Sequence, residues 1–355
     1  MSTDWSVEGR PKRHRGTYKP EFAHIPFELS RSKIETYKKC KQCFYLEKIW
    51  GVKPPAIPGF NLNSNTDTLL KRDFNQYRGK EAHPIMVSAG LEYLIPFEHE
   101  DIEKWENALQ FGATPNHFNT LHKESNILFG GGLDDVWVEL VRPKEVLGHD
   151  DAPQGTGKLY IVDYKSTAQL SKNPKPLDES FLAPPDGTNT PDYKASYRRQ
   201  MDMYQFIMRR KGYEVSRTGY FLYVDGQHNG IDGMIDKNDP AVAWMKFNTS
   251  VLPYEVNVDW VEDALYKAKE IMTSEASPDH NPDCEHWAWY ENVNKAIDKN
   301  NIDEILPFFA KETVDIVEGI FKNIKKNYGS KSNAVSYTHL RAHETEAAVV
   351  CRLLL

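Results

Sequence analysis

A short apolar run near the middle of the chain ends in two charged residues, and this pattern limits the folds open to the chain. The run extends from Leu159 to Val162 and leads directly into Asp163 and, two residues later, Lys165. Such a run predicts a buried strand. Because side chains alternate along a strand, Asp163 and Lys165 are expected to share one face. A carboxylate beside a lysine at a strand end suits the binding of a divalent cation and a charged group next to it.

A second carboxylate lies upstream, in the glycine-rich segment GGLDD (131–135). We interpret Asp134 as a metal ligand together with Asp163, because Asp135 is expected to face the opposite side of the strand that follows. Mg²⁺ is commonly held by one or two carboxylates plus substrate phosphates. Taken alone, each carboxylate is better explained by a structural role, Asp134 in a turn and Asp163 at a strand end.

A third segment, RRQMDMY (198–204), lies in a predicted helix. Gln200 and Tyr204 are four residues apart and therefore share a face of that helix. By spacing alone, a polar stripe with Tyr204 packed in the core is the favoured interpretation of this pattern.

Together these segments resemble the RecB-like branch of the PD-(D/E)XK nuclease superfamily. The opening segment LSRSKIETYKKCKQCFYL (29–46) is also similar to the N-terminal segment of that branch. The resemblance covers most of residues 29–290. The family motifs G-x-x-D, D-x-K and Q-x-x-x-Y match residues 131–134, 163–165 and 200–204.

The resemblance implies an α/β protein with a restriction-endonuclease-like core, in which a mixed central β-sheet is flanked by α-helices, with helical additions at both ends. Periodicity predicts helices over about 32–50, 66–77, 98–111, 195–211 and 260–272. Strands are predicted over about 127–129, 136–141, 159–164, 219–225 and 245–248.

The activity that the resemblance implies is metal-dependent hydrolysis of phosphodiester bonds, in DNA, in a repair, recombination or phage and defence context. Mg²⁺ or Mn²⁺ would be held by Asp134, Asp163 and the backbone carbonyl of Tyr164. Lys165 would assist the attack of water and stabilise charge on the phosphate. Whether the DNA is single- or double-stranded, and whether cleavage is exo- or endonucleolytic, is left open.

In the family, the Q-x-x-x-Y helix faces the active site and the DNA, which gives that role to Gln200 and Tyr204. One departure concerns the metal, since many members carry a metal-binding histidine in an upstream helix. The corresponding stretch NSNTDTLLKRDF (63–74) has no histidine, and Asp67 takes its place in the register. The alternative is a catalytically impaired nucleic-acid-binding module of the same fold. A helicase motor would come from a partner, because the chain has no G-x-x-x-x-G-K-[ST] phosphate loop.

The cysteines raise a second question about metal. Some RecB-like relatives bind an iron–sulfur cluster through cysteines from both ends of the domain. Here Cys40 and Cys43 are spaced C-x-x-C, Cys284 lies near the far end, and His286 offers a nitrogen. The set suits an iron–sulfur cluster or a Cys₃His zinc site. Three reduced thiols without metal are the interpretation that the sequence alone favours.

The composition is that of a globular protein without a membrane segment, with 40% hydrophobic and 27% charged residues. No run approaches the roughly 18 apolar residues of a membrane span, and the N-terminus has no apolar signal core. We therefore expect a cytoplasmic location and no membrane partner. The net charge of −7 leaves DNA binding open, because phosphate contacts need only a local basic patch.

The chain is predicted to have four consecutive parts: a mobile lead-in (1–28), a nuclease domain (29–290), a truncated helical segment (291–334) and residues that resemble a translated sequencing adapter (335–355). The native chain is accordingly expected to continue differently past Ala334. The proline-rich stretch 171–194 follows the D-x-K strand directly. Such a long loop predicts either a gate for substrate or a disordered insertion.

Overall fold

Helices and strands are mixed along the chain, which confirms the predicted α/β class. The structure, a computed structural model, describes residues 13–53, 60–109, 113–140, 157–174, 177–187, 191–287 and 291. Its α-helices are α1 (Arg31–Lys39), α2 (Lys41–Tyr45), α3 (Asn61–Asn75), α4 (Pro84–Ser88), α5 (Ile102–Trp105), α6 (Ala195–Arg210) and α7 (Asp259–Thr273). Its strands are β1 (Phe27–Ser30), β2 (Leu94–Pro96), β3 (Asn119–His122), β4 (Ile127–Gly130), β5 (Asp135–Glu139), β6 (Leu159–Thr167), β7 (Thr218–Gly226) and β8 (Phe247–Glu255).

The strands form two mixed sheets. The smaller sheet has the order β1-β4-β3, with β1 parallel and β3 antiparallel to β4. The larger sheet has the order β2-β5-β6-β7-β8, in which β6 and β7 are parallel and the other neighbours antiparallel. Parallel neighbours need a crossover connection, and α6 lies in the connection between β6 and β7. The strand that carries Asp163 is therefore the central one of its sheet.

The described residues divide into two compact units. The first contains those within 1–13, 23–35 and 58–267, and the second those within 14–22, 36–57 and 268–355. Both sheets and the three family-like motifs belong to the first unit. Residues 292–355, which include nearly all of the predicted C-terminal segment and the adapter-like tail, lie outside the described residues.

One face of the larger sheet is apolar and packs against α3 and α4. Burying each such side chain contributes about 1.5–3 kcal/mol. Alternation along β6 then turns the side chains of Asp163 and Lys165 to the opposite face. The cluster on the apolar face consists of Phe74, Met86, Leu94, Trp137, Val162, Tyr164, Tyr220, Leu222 and Val224.

The second unit contains its own paired polar groups. The ring of His14 stacks on that of Tyr18 with 5.0 Å between centroids, and Lys269 Nζ lies 4.4 Å from the Tyr18 centroid. Glu47 and Lys48 are buried and form an ion pair at 3.3 Å. The buried charges of Glu47 and Lys48 thus compensate each other.

The single helix predicted over 32–50 is wrong, because the structure interrupts it at Cys40. This residue is extended (φ −158°, ψ 115°) and caps α2, with its Sγ accepting a hydrogen bond from the Cys43 backbone N–H. A π-helical turn, Leu46–Trp50, follows α2 and ends at Gly51 in the left-handed conformation. A side chain that accepts from the backbone competes with helix continuation, and periodicity does not register that competition.

Two other boundaries differ from prediction. The acidic helix expected over 98–111 is reduced to α5, where Trp105 is buried; residues 110–112 lie outside the described part. The strand expected near 245–248 is instead β8, which is nine residues long and pairs with β7 along its whole length. Pro253 lies within this strand, and a proline in a sequence argues against a strand at that position. An edge strand tolerates proline because one row of its N–H groups pairs with no neighbour.

The proline-rich stretch 171–194 is described in part. It contains a 3-10 turn, Glu179–Phe181, and the buried Leu182, whose carbonyl accepts a hydrogen bond from Arg198. Separately, no helix among the described residues is long and apolar enough to cross a membrane.

Gly132 should not tolerate a side chain, whereas Gly219 should. A Cβ at Gly132 would lie 2.6 Å from the carbonyl oxygen of Glu106, which is backbone, and one at Gly219 would meet the flexible side chain of Met201 at 2.5 Å. We expect Gly132→Ala to lower the free energy of unfolding by roughly 1–3 kcal/mol and Gly219→Ala to lower it less. Urea denaturation of both variants checks this, and equal losses would contradict the close approach at Gly132.

Candidate active site

Strand β6 positions the centre of the site. Its residues Asp163 and Lys165 pair in parallel register with Phe221 and Tyr223 of β7. Asp163 is fully buried, and its Oδ2 forms an ion pair with Lys165 Nζ. Two residues that sequence alternation placed on one face are therefore in direct contact.

Helix α6 completes the hydrogen bonding of Asp163. Gln200 is buried, and its Nε2 donates to Asp163 Oδ1 at 2.6 Å. Burial raises the pKa of Asp163 to about 7, because the charge of Lys165 opposes this effect only in part and the Asp134 carboxylate adds to it. Near neutral pH this carboxyl group is thus poised between its protonated and ionised forms.

Asp134 lies in the loop between β4 and β5, and its Oδ2 accepts a hydrogen bond from the Tyr164 backbone N–H at 2.9 Å. Asp135 is used differently. It is buried in the core, where it pairs with Arg78 at 2.9 Å and accepts from the Tyr164 hydroxyl at 2.7 Å. Asp134 and Asp135 therefore lie on opposite sides of the sheet, as alternation predicts.

Lys165 remains cationic although it is largely buried. Burial lowers its pKa, but the Asp163 and Asp134 carboxylates outweigh this and hold the pKa above its ordinary value. Its Nζ also donates to the Tyr164 carbonyl at 3.3 Å and lies 5.1 Å from the centroid of the Tyr197 ring.

Tyr204 is buried behind the glycine-rich turn, and it is not among the residues that line the cleft of the site. A Cβ on Gly131 would lie 2.7 Å from its ring, so the turn can approach α6 only with glycine there. Burial, together with Asp134 and Asp163, raises the pKa of Tyr204 against the opposing effect of Arg31. Tyr204 thus packs against Gly131 and interacts electrostatically with Arg31, Asp134 and Asp163 without lining the cleft.

Arg31 is a site residue that the motifs did not identify. It lines the cleft. Burial lowers its pKa, but Tyr204, Asp163 and Asp134 more than compensate, and the pKa is raised. It begins α1, where an arginine is ordinarily solvated, and only the tertiary structure brings it to the two carboxylates.

Helix α3 also contributes residues to the lining of the cleft. Asp67 lines the cleft and pairs with Lys71 at 3.3 Å, and burial and the nearby Asp134 raise its pKa. The hydroxyls of Thr66 and Ser166 are hydrogen bonded, which ties α3 to β6. The structure therefore brings Asp67 to the cleft, where the sequence register had placed it.

These elements enclose a cleft of about 280 Å³. It combines the Asp67 carboxylate with cations and hydroxyls, groups that suit a hard cation and an anionic group side by side. Asp134 and Asp163 are not in this lining, but they contact its residues Tyr164, Lys165 and Gln200. The lining consists of Arg31, Asn63, Asp67, Tyr164, Lys165, Ser166, Ser196, Tyr197 and Gln200.

Comparison with known proteins does not identify a relative. No protein-family model matches the chain, and neither does any curated protein or solved structure. The function of this cleft therefore has to be inferred from its own residues.

A separate group of cysteines lies in the second unit. The Sγ atoms of Cys40, Cys43 and Cys284 lie within 4.8 Å of one another, with 3.5 Å between those of Cys43 and Cys284. Burial raises the pKa of Cys40, but hydrogen bonds from the Asn281 and Cys43 backbones outweigh this and leave it lowered. Burial and the neighbouring thiols raise the pKa of Cys43. Three convergent sulfurs of this kind could bind a metal such as Zn²⁺.

His286 does not join this group, contrary to its predicted role as a fourth ligand. Among the described residues, the convergent ligand atoms are those of the three cysteines, and His286 is exposed. It stands two residues after Cys284 in a helical turn, and a step of two rotates a helical side chain by about 200°. Sequence proximity therefore did not bring it to the sulfurs.

The raised pKa of Asp163 has a consequence for stability. The folded chain holds this proton more tightly than the unfolded chain, so the stabilisation is complete below the ordinary aspartate pKa and is lost as pH rises through about 7. Asp163→Asn removes that loss. From pH 5 to pH 8 we expect the free energy of unfolding of the original chain to fall by roughly 1–4 kcal/mol more than that of the variant. Urea denaturation at both pH values measures this difference, which is separate from the cost of leaving Lys165 without its carboxylate. The mostly exposed Asp263 is the control, and an equal difference in Asp263→Asn would contradict the assignment.

The cysteine group predicts zinc uptake. We expect the reduced protein to bind about one Zn²⁺ per chain and to melt at a higher temperature when it is bound, because structural zinc sites contribute folding energy. Zinc content after gel filtration and thermal melting with and without Zn²⁺ measure this. Cys43→Ser should abolish both effects, while His286→Ala should retain them. Loss in the histidine variant would show that the ligand set is wrong.

Proposed function

We propose that this chain is a metal-dependent nuclease with a restriction-endonuclease-like core. The observation that carries the proposal is the buried Asp163–Lys165 pair, bonded to Gln200 and close to the Asp134 carboxylate. These residues come from β6, α6 and the β4–β5 loop, and they are the residues of the three family-like motifs. Lys165 and Gln200 of this group line the cleft. A mixed sheet with a crossover helix between its parallel strands is compatible with the proposed core.

The residues of the cleft are chemically suited to Mg²⁺ or Mn²⁺. Asp134, Asp163 and the Tyr164 carbonyl offer oxygen donors, which hard cations prefer, and Asp67 offers a further carboxylate at the cleft wall. When bound, such a cation would supply Lewis acidity toward a phosphate oxygen and lower the pKa of a bound water.

Lys165 would stabilise charge on the phosphate and assist the attack of water. Its Nζ is held at the cleft by Asp163 and the Tyr164 carbonyl. Its role is to donate to a phosphate oxygen, where negative charge develops in the transition state. Gln200 fixes Asp163 by donating to Oδ1, while Oδ2 pairs with Lys165.

Arg31 extends the positive charge of the site. Its guanidinium group lies at the cleft and offers paired donors of the geometry that phosphate accepts. The Lys165 and Arg31 cations together favour an anionic substrate, which we propose to be DNA. A helicase, if one participates, would be a partner protein.

In the second unit we propose Zn²⁺ rather than an iron–sulfur cluster. The structure brings together three sulfurs, whereas a cluster is ordinarily held by four cysteines. A structural zinc ion is held by four protein ligands, three of which these sulfurs would supply. Its proposed role is to stabilise this unit.

The proposal predicts that cleavage depends on Lys165. We expect the full chain to cut linear single- or double-stranded DNA with Mg²⁺ or Mn²⁺ and not with EDTA. Lys165→Gln should lower the rate by roughly 10²- to 10³-fold, because the phosphate loses its cation. The matched control is Lys123→Gln, an exposed lysine in the turn between β3 and β4, which should cut normally. Equal rates in the Lys165 variant and the original chain would refute the assignment.

The same assay distinguishes the alternative function. If the original chain binds DNA but does not cut it under any metal condition, the protein is a nucleic-acid-binding module. The engagement of both oxygens of Asp163 by Gln200 and Lys165 is compatible with such a module, because no metal is needed to satisfy them.

A further inference from the structure

A second cation lies beside the cleft, at the start of α6. The Nζ of Lys194 is 4.2 Å from the centroid of the Phe181 ring, 5.3 Å from that of Tyr197 and 5.9 Å from that of Tyr223. The three rings come from the proline-rich stretch, from α6 and from β7. We call this group, formed by Lys194, Phe181, Tyr197 and Tyr223, the aromatic niche.

The aromatic niche adjoins the cleft through Tyr197. This residue lines the cleft, and its ring also has Lys165 Nζ 5.1 Å from the centroid. Two ammonium groups therefore approach one ring. A ligand bound at Lys165 would have Lys194 as a neighbouring cation.

Lys194 has no carboxylate partner among the residues that the structure describes. The acid two residues before it, Asp192, is paired with Arg198. Burial and the positive charge of Lys165 lower the pKa of Lys194. Two cations close together repel each other, and only Lys165 has a carboxylate partner here. An anion bound between Lys165 and Lys194 would offset this repulsion.

Tyr223 provides a hydrogen-bond donor in the same place. It is 1% exposed, and its hydroxyl has no hydrogen-bond partner within the described part of the chain. Burial, together with Tyr197 and Asp163, raises its pKa, so the hydroxyl keeps its proton. A buried hydroxyl without a partner costs about 1–3 kcal/mol, and such a group in a native protein calls for a specific explanation, of which a bound water or ion is one.

The start of α6 adds to the preference for anions. This helix has 16 residues, and the first N–H groups of a helix carry partial positive charge. Ser196, in its first turn, lines the cleft and adds a hydroxyl. Lys194, the Ser196 hydroxyl and the start of α6 are thus donors of the kind from which a phosphate group accepts.

We propose that the aromatic niche binds a second phosphate of a nucleic-acid strand, next to the phosphate held at Lys165. This inference rests on the proposed nuclease function and narrows its substrate to a strand that presents at least two phosphates. Cations set among aromatic side chains beside a cleft are typical of proteins that follow a single strand. We therefore assign the niche to single-stranded nucleic acid.

The test measures how binding depends on salt. Fluorescence anisotropy of a fluorescein-labelled 20-nucleotide oligothymidylate, in EDTA over a range of NaCl concentrations, gives the slope of log affinity against log salt. A single-strand phosphate contact contributes roughly 0.7 to that slope. We expect Lys194→Gln to reduce the slope by about this amount, and Lys194→Arg and the Lys123→Gln control to retain it. An unchanged slope in Lys194→Gln overturns the inference.

A second variant separates binding from folding. Tyr223→Phe removes the buried hydroxyl without changing the ring. We expect it to raise the melting temperature, since an unpartnered polar group is lost, and to weaken oligothymidylate binding several-fold. A more stable variant that binds as tightly as the original chain would overturn the role of the hydroxyl. If the original chain neither binds nor cuts DNA, the proposed function fails and this inference fails with it; binding with an unchanged Lys194→Gln slope refutes the inference alone.

Discussion

The buried ion pair between Asp163 and Lys165 is the constraint on which the rest of the site depends. A charge that is buried without a partner is penalised by several kcal/mol, so a strand at the centre of a sheet can carry one only beside an opposite charge and hydrogen-bond donors. Gln200 donates to Asp163, and the Tyr164 carbonyl accepts from Lys165. The same burial shifts the pKa of Asp163 to about 7. One arrangement thus sets both the electrostatic balance of the strand and the pKa of its carboxyl group.

Alternation along β6 places apolar side chains on one face of the sheet and the polar groups of the site on the other. Tyr164 turns its ring toward Phe74 and the apolar core, while its neighbours Asp163 and Lys165 face α6. The backbone N–H of Tyr164, in contrast, donates a hydrogen bond to Asp134 of the site. Packing of the core therefore fixes the position of the polar groups, and a shift of one residue in the register of β6 would exchange the two faces.

The charge around the cleft differs from that of the chain as a whole. The net charge is −7, yet Arg31, Lys165 and Lys194 lie at the cleft or beside it. Binding of an anion is governed by the local potential rather than by net charge. The two carboxylates of the site and these cations are complementary, because a metal ion would neutralise the former and a phosphate the latter. That complementarity is why a phosphodiester is the substrate class we favour.

The sequence by itself determined the local elements that carry the chemistry. The apolar run ending in Asp163, the spacing to Lys165 and the helix around Gln200 follow from periods of two and 3.6 residues, which depend on neighbours in the chain. Prediction from the sequence was wrong where contacts with residues far along the chain decide the local structure. Cys40 interrupts a helix that periodicity predicts to be continuous, and Pro253 sits in a long strand because that strand is at an edge. Only the tertiary structure brings Arg31 to the cleft and leaves His286 away from the sulfurs, since long-range contacts depend on how the sheets and helices pack and not on sequence spacing.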